Sequence, residues 1–196
     1  MEEFKNSKIG IVCNDAGGAQ ILSHWILNNF NNEYFFHLGK IAKEIFIENK
    51  IPLKTFSLND LIDKSDYVFT GTDYNSVKII DTIKKCNKKN KKVYSFLDHW
   101  INYKFRFLSK SKELVLPYCI VVSDVFAKNL ARKIFNCKIR LIENFFLKKA
   151  EQLKKKINNN NILYMSANSN MDYKKYHFND DQILEKVLSK FDDKRY

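Results

Sequence analysis

From residue 8 to about residue 144 the chain repeats one unit: a short apolar stretch, a polar and usually glycine-bearing turn, then a segment with helical spacing. Lys8–Cys13 (KIGIVC), Tyr34–His37, Leu53–Phe56, Asp66–Thr70, Val93–Leu97, Tyr118–Val122 and Lys138–Ile142 read as strands. Ala19–Leu27, Ile41–Asn49, a short stretch around Asn59–Lys64, Tyr74–Asn87 and the run from Ser123 or Asp124 to Phe135 read as helices. Strands separated by helices need crossover connections. The expected architecture is therefore a mostly parallel sheet with helices on both faces.

In such a sheet ligands bind outside the carboxyl ends of the strands. The conspicuous polar residues of this chain fall there: Asp15, Gly17 and Gly18 after the first strand, Gly71, Thr72 and Asp73, then Asp98 and His99, then Ser123, and finally Asn144. Their common position predicts one shared cleft. The turn Asn14–Gly18 matches neither a GxGxxG fingerprint nor a Walker loop. It is either a plain turn that needs glycine or a loop whose backbone approaches an anion at a helix start. Thr72 or Asp73 would cap the helix that follows.

The most distinctive stretch is Tyr94–Phe107 (YSFLDHWINYKFRF), a buried strand that breaks into an aromatic and basic segment. If that segment is helical, His99, Asn102, Tyr103 and Arg106 share one face, since they lie three, four and seven residues apart. His99 is the candidate general base, oriented by a carboxylate, Asp98 or its rival Asp15. Arg106 is either a clamp for a phosphate or carboxylate or a partner in a surface ion pair. Trp100, Tyr103, Phe105 and Phe107 fit core or wall better than a sugar-stacking platform, with Tyr103 open to either role.

Composition narrows the classes. The chain of 196 residues is 45% hydrophobic and 14% aromatic, enough for a real core. No apolar run reaches the ~18 residues of a membrane span, and the polar start Met1–Asn6 does not read as a secretory signal. A cytoplasmic location follows as the expectation. Cys13, Cys86, Cys119 and Cys137 lack paired spacing and His24, His37, His99 and His177 lack ligand spacing, so neither metal nor disulfide is expected. Net charge is +12, much of it in lysine runs such as Lys84–Lys85, Lys88–Lys89, Lys91–Lys92 and Lys154–Lys156. Each run suits a solvated face, while their sum leaves phosphorylated sugars, an anionic membrane face and nucleic acid as candidate anionic partners. No nucleic-acid-binding signature accompanies them.

The pattern changes after Asn144. Phe145–Ile157 reads as a helix, Asn158–Asn161 as a linker, Ile162–Ser166 as a new strand and Ile183–Phe191 as a helix capped by Asp180 or Asp181. The expected organisation is a domain at 1–157 and, at 158–196, a linker with the incomplete start of a second α/β domain; the alternative is that this small unit packs onto the first domain's edge.

Asp15-Ala16-Gly17-Gly18-Ala19, Gly71-Thr72, the LDHW-x-NY-x-x-RF segment at Leu97–Phe107 and Glu143-Asn144 together resemble the N-terminal domain of certain bacterial proteins. These are GT-B-like, glycosyltransferase-related proteins of surface and capsular polysaccharide biosynthesis. The resemblance spans about residues 8 to 150, and the Leu97–Phe107 segment is its specific part. It implies a Rossmann-like acceptor-side domain, with Gly17, Gly18, Gly71, Thr72, His99 and Asn102 on the acceptor side of the cleft. It implies a nucleotide sugar as donor substrate, a glycan acceptor, and no cofactor or metal. It also implies a donor-binding second domain, which this sequence only begins, so a truncated chain or a second chain is expected. The competing readings are a nucleotide-sugar epimerase or hydrolase and a non-catalytic binding module.

Overall fold

A computed structural model of the chain describes residues 2–29, 31–73, 77–152 and 180–192. The chain divides into two units, Met1–Lys154 and Lys155–Tyr196. In the second unit the described element is a helix at Asp180–Asp192, which covers the helix expected at Ile183–Phe191. The linker at Asn158–Asn161 and the strand expected at Ile162–Ser166 lie outside the described residues.

The first unit is a six-stranded sheet built from β1 (Lys8–Cys13), β2 (Glu33–Leu38), β3 (Tyr67–Thr70), β4 (Lys92–Phe96), β5 (Cys119–Val122) and β6 (Lys138–Leu141). The strand order is β2-β1-β3-β4-β5-β6. All pairings are parallel, with Val12 opposite both His37 and Thr70, and Phe96 opposite Val121. The helices are α1 (Ala16–Leu27), α2 (Lys40–Glu48), α3 (Leu58–Lys64), α4 (Val77–Lys88), α5 (Val125–Ile134) and α6 (Phe145–Gln152). The strand expected at Leu53–Phe56 is a single parallel bridge, Thr55 opposite Phe36.

The central strands are apolar at nearly every position because the pleat sends alternate residues into two cores. Ile9, Ile11, Phe69, Tyr94, Phe96, Cys119 and Val121 pack with Leu22 and Trp25 of α1 and Ala42 and Phe46 of α2. Val12, Val68, Val93, Ile120 and Val122 pack on the other face with Leu61 and Ile62 of α3, Ile79 and Ile83 of α4, and Ala127 and Ala131 of α5. Helices thus cover both faces, as the alternation predicts. Cys13, Cys86 and Cys119 are buried thiols. Among the described residues no helix is long and apolar enough to cross a membrane, and no cluster of ligating side chains could hold a metal ion.

Candidate functional site

A cleft of about 370 Å³ opens at the carboxyl ends of β4 and β5. One wall is the start of α1, with Ala16, Gly17, Gln20 and Ile21. The loop after β4 gives Leu97, Asp98, His99 and Trp100, and the turn after β5 gives Ser123 and Asp124 with Ala127 of α5. Asn144, Phe146 and Leu147 close it from the start of α6.

The helix starts around the cleft have side-chain caps. Asp15 Oδ1 accepts from Gly18 N at 3.1 Å, and Asp124 Oδ1 from Ala127 N at 2.7 Å. Asn144 Oδ1 accepts from Phe146 N at 3.1 Å. Each cap satisfies an amide that a helix start leaves without an internal partner. The other carboxylate oxygen of Asp124, Oδ2, accepts from Trp100 Nε1 at 2.8 Å. That bond holds the indole at the cleft wall while the side chain stays 56% exposed. Trp100 therefore stands on the cleft wall and not in the core.

Asp98 is fixed from behind. Arg106 donates through one terminal nitrogen to Asp98 Oδ1 at 2.8 Å, to the Thr72 carbonyl at 2.7 Å and to Thr72 Oγ1 at 3.2 Å. Thr72 Oγ1 in turn donates to the Phe96 carbonyl at 3.0 Å, tying the turn after β3 to the end of β4. Little of either side chain is exposed, 8% for Arg106 and 9% for Asp98. Arg106 is thus neither the anion clamp nor the surface ion pair considered above. Its charge is committed inside the protein, and its Nε is buried with no hydrogen-bond partner among the described residues.

The segment around Arg106 explains this inversion. Only Lys104–Phe107 is helical, as a short 3-10 turn, and Asn102 has φ of 60°. A left-handed residue there ends any continuous helix, so His99, Asn102, Tyr103 and Arg106 do not share a face. Asn102 is exposed outside the cleft lining. Tyr103 is 3% exposed and stacks on Phe135 at 6.3 Å in the apolar core, so it is core rather than ligand wall. His99 is exposed on the cleft wall and makes no hydrogen bond to Asp98 or Asp15 among the described residues. Neither carboxylate orients it.

The glycines divide as well. Gly17 lines the cleft, and a Cβ there would lie 2.0 Å from Asp98 Oδ2. Gly18 and Gly71 are buried, and a Cβ on Gly18 would come within 2.9 Å of Gly71 Cα. They let α1 and the turn after β3 touch backbone to backbone, so they serve packing rather than a ligand. Thr72 is likewise buried, facing β4 and Arg106 rather than the cleft. Asp15 sits beneath the cleft with Asp73, which accepts from Asn14 Nδ2 at 2.8 Å. Burial, with the charges of Asp73 and Asp98 added, pushes the Asp15 carboxyl up to about 7.

Of the residues singled out in the sequence, Gly17, Asp98, His99, Ser123 and Asn144 meet at the cleft. Asp15, Gly18, Gly71, Thr72 and Arg106 form the layer that supports it. Gln20 and Ile21 went unrecognised, although they lie three and four residues beyond Gly17 and must share its face. Phe146 and Leu147 follow Asn144 into a capped helix and carried no separate signal.

No protein-family model matches the chain, and no curated protein matches it in sequence. Among solved structures it is similar to the UDP-GlcNAc 2-epimerase from Neisseria meningitidis, solved bound to UDP-GlcNAc. The TM-score is 0.50 at 12% identity, over 74% of this chain and 50% of that one. It also matches the glycotransferase of kitacinnamycin, with a TM-score of 0.46 at 8% identity, over 84% of this chain and 56% of that one. The chain spans about half the length of each. The fold is the Rossmann-like α/β fold of the GT-B class, as expected from the sequence.

Proposed function

We propose that the first unit is the acceptor-side domain of a GT-B-type glycosyltransferase acting in cell-surface or capsular polysaccharide synthesis, and that residues 158–196 open its donor side. One observation carries this: Asp98 and His99 stand together on the wall of a cleft at the carboxyl ends of β4 and β5, where sheets of this kind bind ligands. His99 removes the proton of an acceptor hydroxyl as that oxygen bonds to the anomeric carbon of a nucleotide sugar. The bond from that carbon to the diphosphate breaks, and the nucleotide leaves with the electron pair. Asp98, held by Arg106, accepts a hydrogen bond from the acceptor and orients it. The donor is held by a donor-binding domain.

Incubation with nucleotide sugars, with and without a glycan acceptor, followed by product analysis tests this. Acceptor-dependent glycosylation lost in His99→Ala is the expected result, and unchanged transfer in that variant removes His99 from the chemistry. The likeness to a 2-epimerase favours a second reading, in which a nucleotide sugar is epimerised or hydrolysed. An altered or freed sugar without acceptor would identify it. Peripheral contact with an anionic membrane through the lysine runs belongs to the first proposal. Salt-sensitive sedimentation with anionic liposomes tests it.

A further inference from the structure

We infer that the cleft binds an uncharged, hydroxyl-rich ring, a neutral sugar stacked on Trp100, and selects against phosphorylated or otherwise anionic sugars. The inference rests on the reading of this cleft as an acceptor site and supplies its ligand class. The chain carries 34 lysines and arginines against 22 acidic residues, yet no lysine or arginine lines the cleft among the described residues. The guanidinium just behind it, Arg106, is committed to Asp98 and Thr72. The start of α1, which would otherwise attract an anion, already faces carboxylates. Asp15 caps Gly18 N, and Asp98 Oδ2 lies so close to Gly17 that a Cβ there would meet it at 2.0 Å. Among the described residues, a phosphate entering here meets Asp98 and Asp124 and no lysine or arginine.

What the cleft does offer matches a sugar. Trp100 is 56% exposed and pinned through its N–H by Asp124, so its ring is held in place before any ligand arrives. The C–H face of a pyranose is apolar and packs on such a ring, with Leu97 and Phe146 alongside. Gln20, His99 and Ser123 line the same space and make no side-chain hydrogen bond among the described residues. They are free to bond hydroxyls, and this mixture of apolar wall and few polar groups is the usual make-up of small-ligand sites.

The chain has two tryptophans, and Trp25 is 1% exposed in the core, so Trp100 is the emission that a ligand in the cleft can change. The full chain is titrated with methyl glycosides of common hexoses and N-acetylhexosamines and with the matching sugar 1-phosphates. Fluorescence and calorimetry are the readouts. At least one neutral glycoside should give a saturable change in Trp100 emission, and its 1-phosphate should bind severalfold more weakly. By calorimetry, Trp100→Ala should bind that glycoside about tenfold more weakly and Trp100→Phe less so. Unaltered Trp25 emission shows that both variants are folded. Tighter binding of the phosphate overturns the proposal. So does undiminished binding by Trp100→Ala, or the absence of any response to neutral glycosides at their solubility limit. Neutral binding without transfer would sink the transferase reading alone, and unimpaired transfer by Trp100→Ala would sink this subsite alone.

Discussion

The Asp98–Arg106 pair is the contact on which the cleft wall depends, and replacing Arg106 with Met tests that dependence. Met keeps the apolar stem and removes the guanidinium. Arg106 reaches three acceptors, at 2.7, 2.8 and 3.2 Å. At about 1.5–3 kcal/mol for each hydrogen bond to a charged group, a simple sum gives about 5–9 kcal/mol. That sum overcounts, because one nitrogen with two hydrogens serves all three acceptors. The larger effect is the carboxylate left behind at 9% exposure with its counter-charge gone. Breaking a buried pair from one side costs about 3–5 kcal/mol. Against a typical domain stability of about 5–15 kcal/mol, that is a large share. Urea unfolding followed by far-UV circular dichroism should show a loss of this size in Arg106→Met. Adding Asp98→Asn should restore part of the loss, with a coupling energy of about 2 kcal/mol between the two sites. A cost below about 1 kcal/mol for Arg106→Met, or strict additivity in the double variant, would refute the assignment of this pair as the support of the wall.

Asp15 has a folded-state carboxyl near 7 against an ordinary 3.8, so the folded protein holds its proton more tightly than the unfolded chain does. Stability should therefore fall as pH rises between those values, by roughly 1–2 kcal/mol after solvent screening at this half-buried site. Asp15→Asn keeps the cap and should flatten that slope in urea midpoints measured across the range, whereas an unchanged slope assigns the effect elsewhere. Gly17→Ala separates two forces of opposite sign. Helix propensity favours Ala by up to about 1 kcal/mol, while a Cβ 2.0 Å from Asp98 Oδ2 forces a displacement worth about 1–3 kcal/mol. Destabilisation with weakened ligand binding is expected, and a more stable protein would show that Asp98 yields freely. Tyr103→Phe removes a buried hydroxyl that has no hydrogen-bond partner among the described residues. Thermal unfolding should show no loss, or a gain of up to about 1 kcal/mol.

The parallel sheet was legible because its central strands are buried on both faces, so runs such as KIGIVC and CIVV carry a signal that a half-exposed strand lacks. Thr55 shows the limit, since a bridge of one residue leaves no period to read. The carboxyl ends of the strands also delivered the cleft residues Gly17, Asp98, His99, Ser123 and Asn144. The loop after β4 did not follow its own spacing. Residues three, four and seven apart imitate a helix face, but Asn102 turns the backbone left-handed, and the core takes Tyr103 and Phe107. Once those rings are buried, Arg106 is carried inward to Thr72 and Asp98. No local pattern distinguishes that outcome from an exposed basic face, because the partners lie eight and 34 residues away.

The same contacts explain how a chain of net charge +12 can present an acidic cleft. Its lysines pair outward, as in Lys54–Glu33, Lys84–Glu113 and Lys148–Glu143, where exposure makes each pair worth little. Its carboxylates gather inward, with Asp15, Asp73 and Asp98 at the ends of β1, β3 and β4. Only one guanidinium, that of Arg106, is bound among them in the described residues, and it is bound to Asp98. Burial first, and then the charges of Asp73 and Asp98, hold the proton of Asp15 to about 7. Among the described residues, no lysine or arginine lines this half of the site to answer a diphosphate. On the function proposed above, the diphosphate must then be held by the donor-binding domain, while this domain holds the neutral acceptor. That division follows from which wall carries Trp100 and which charges lie behind Asp98.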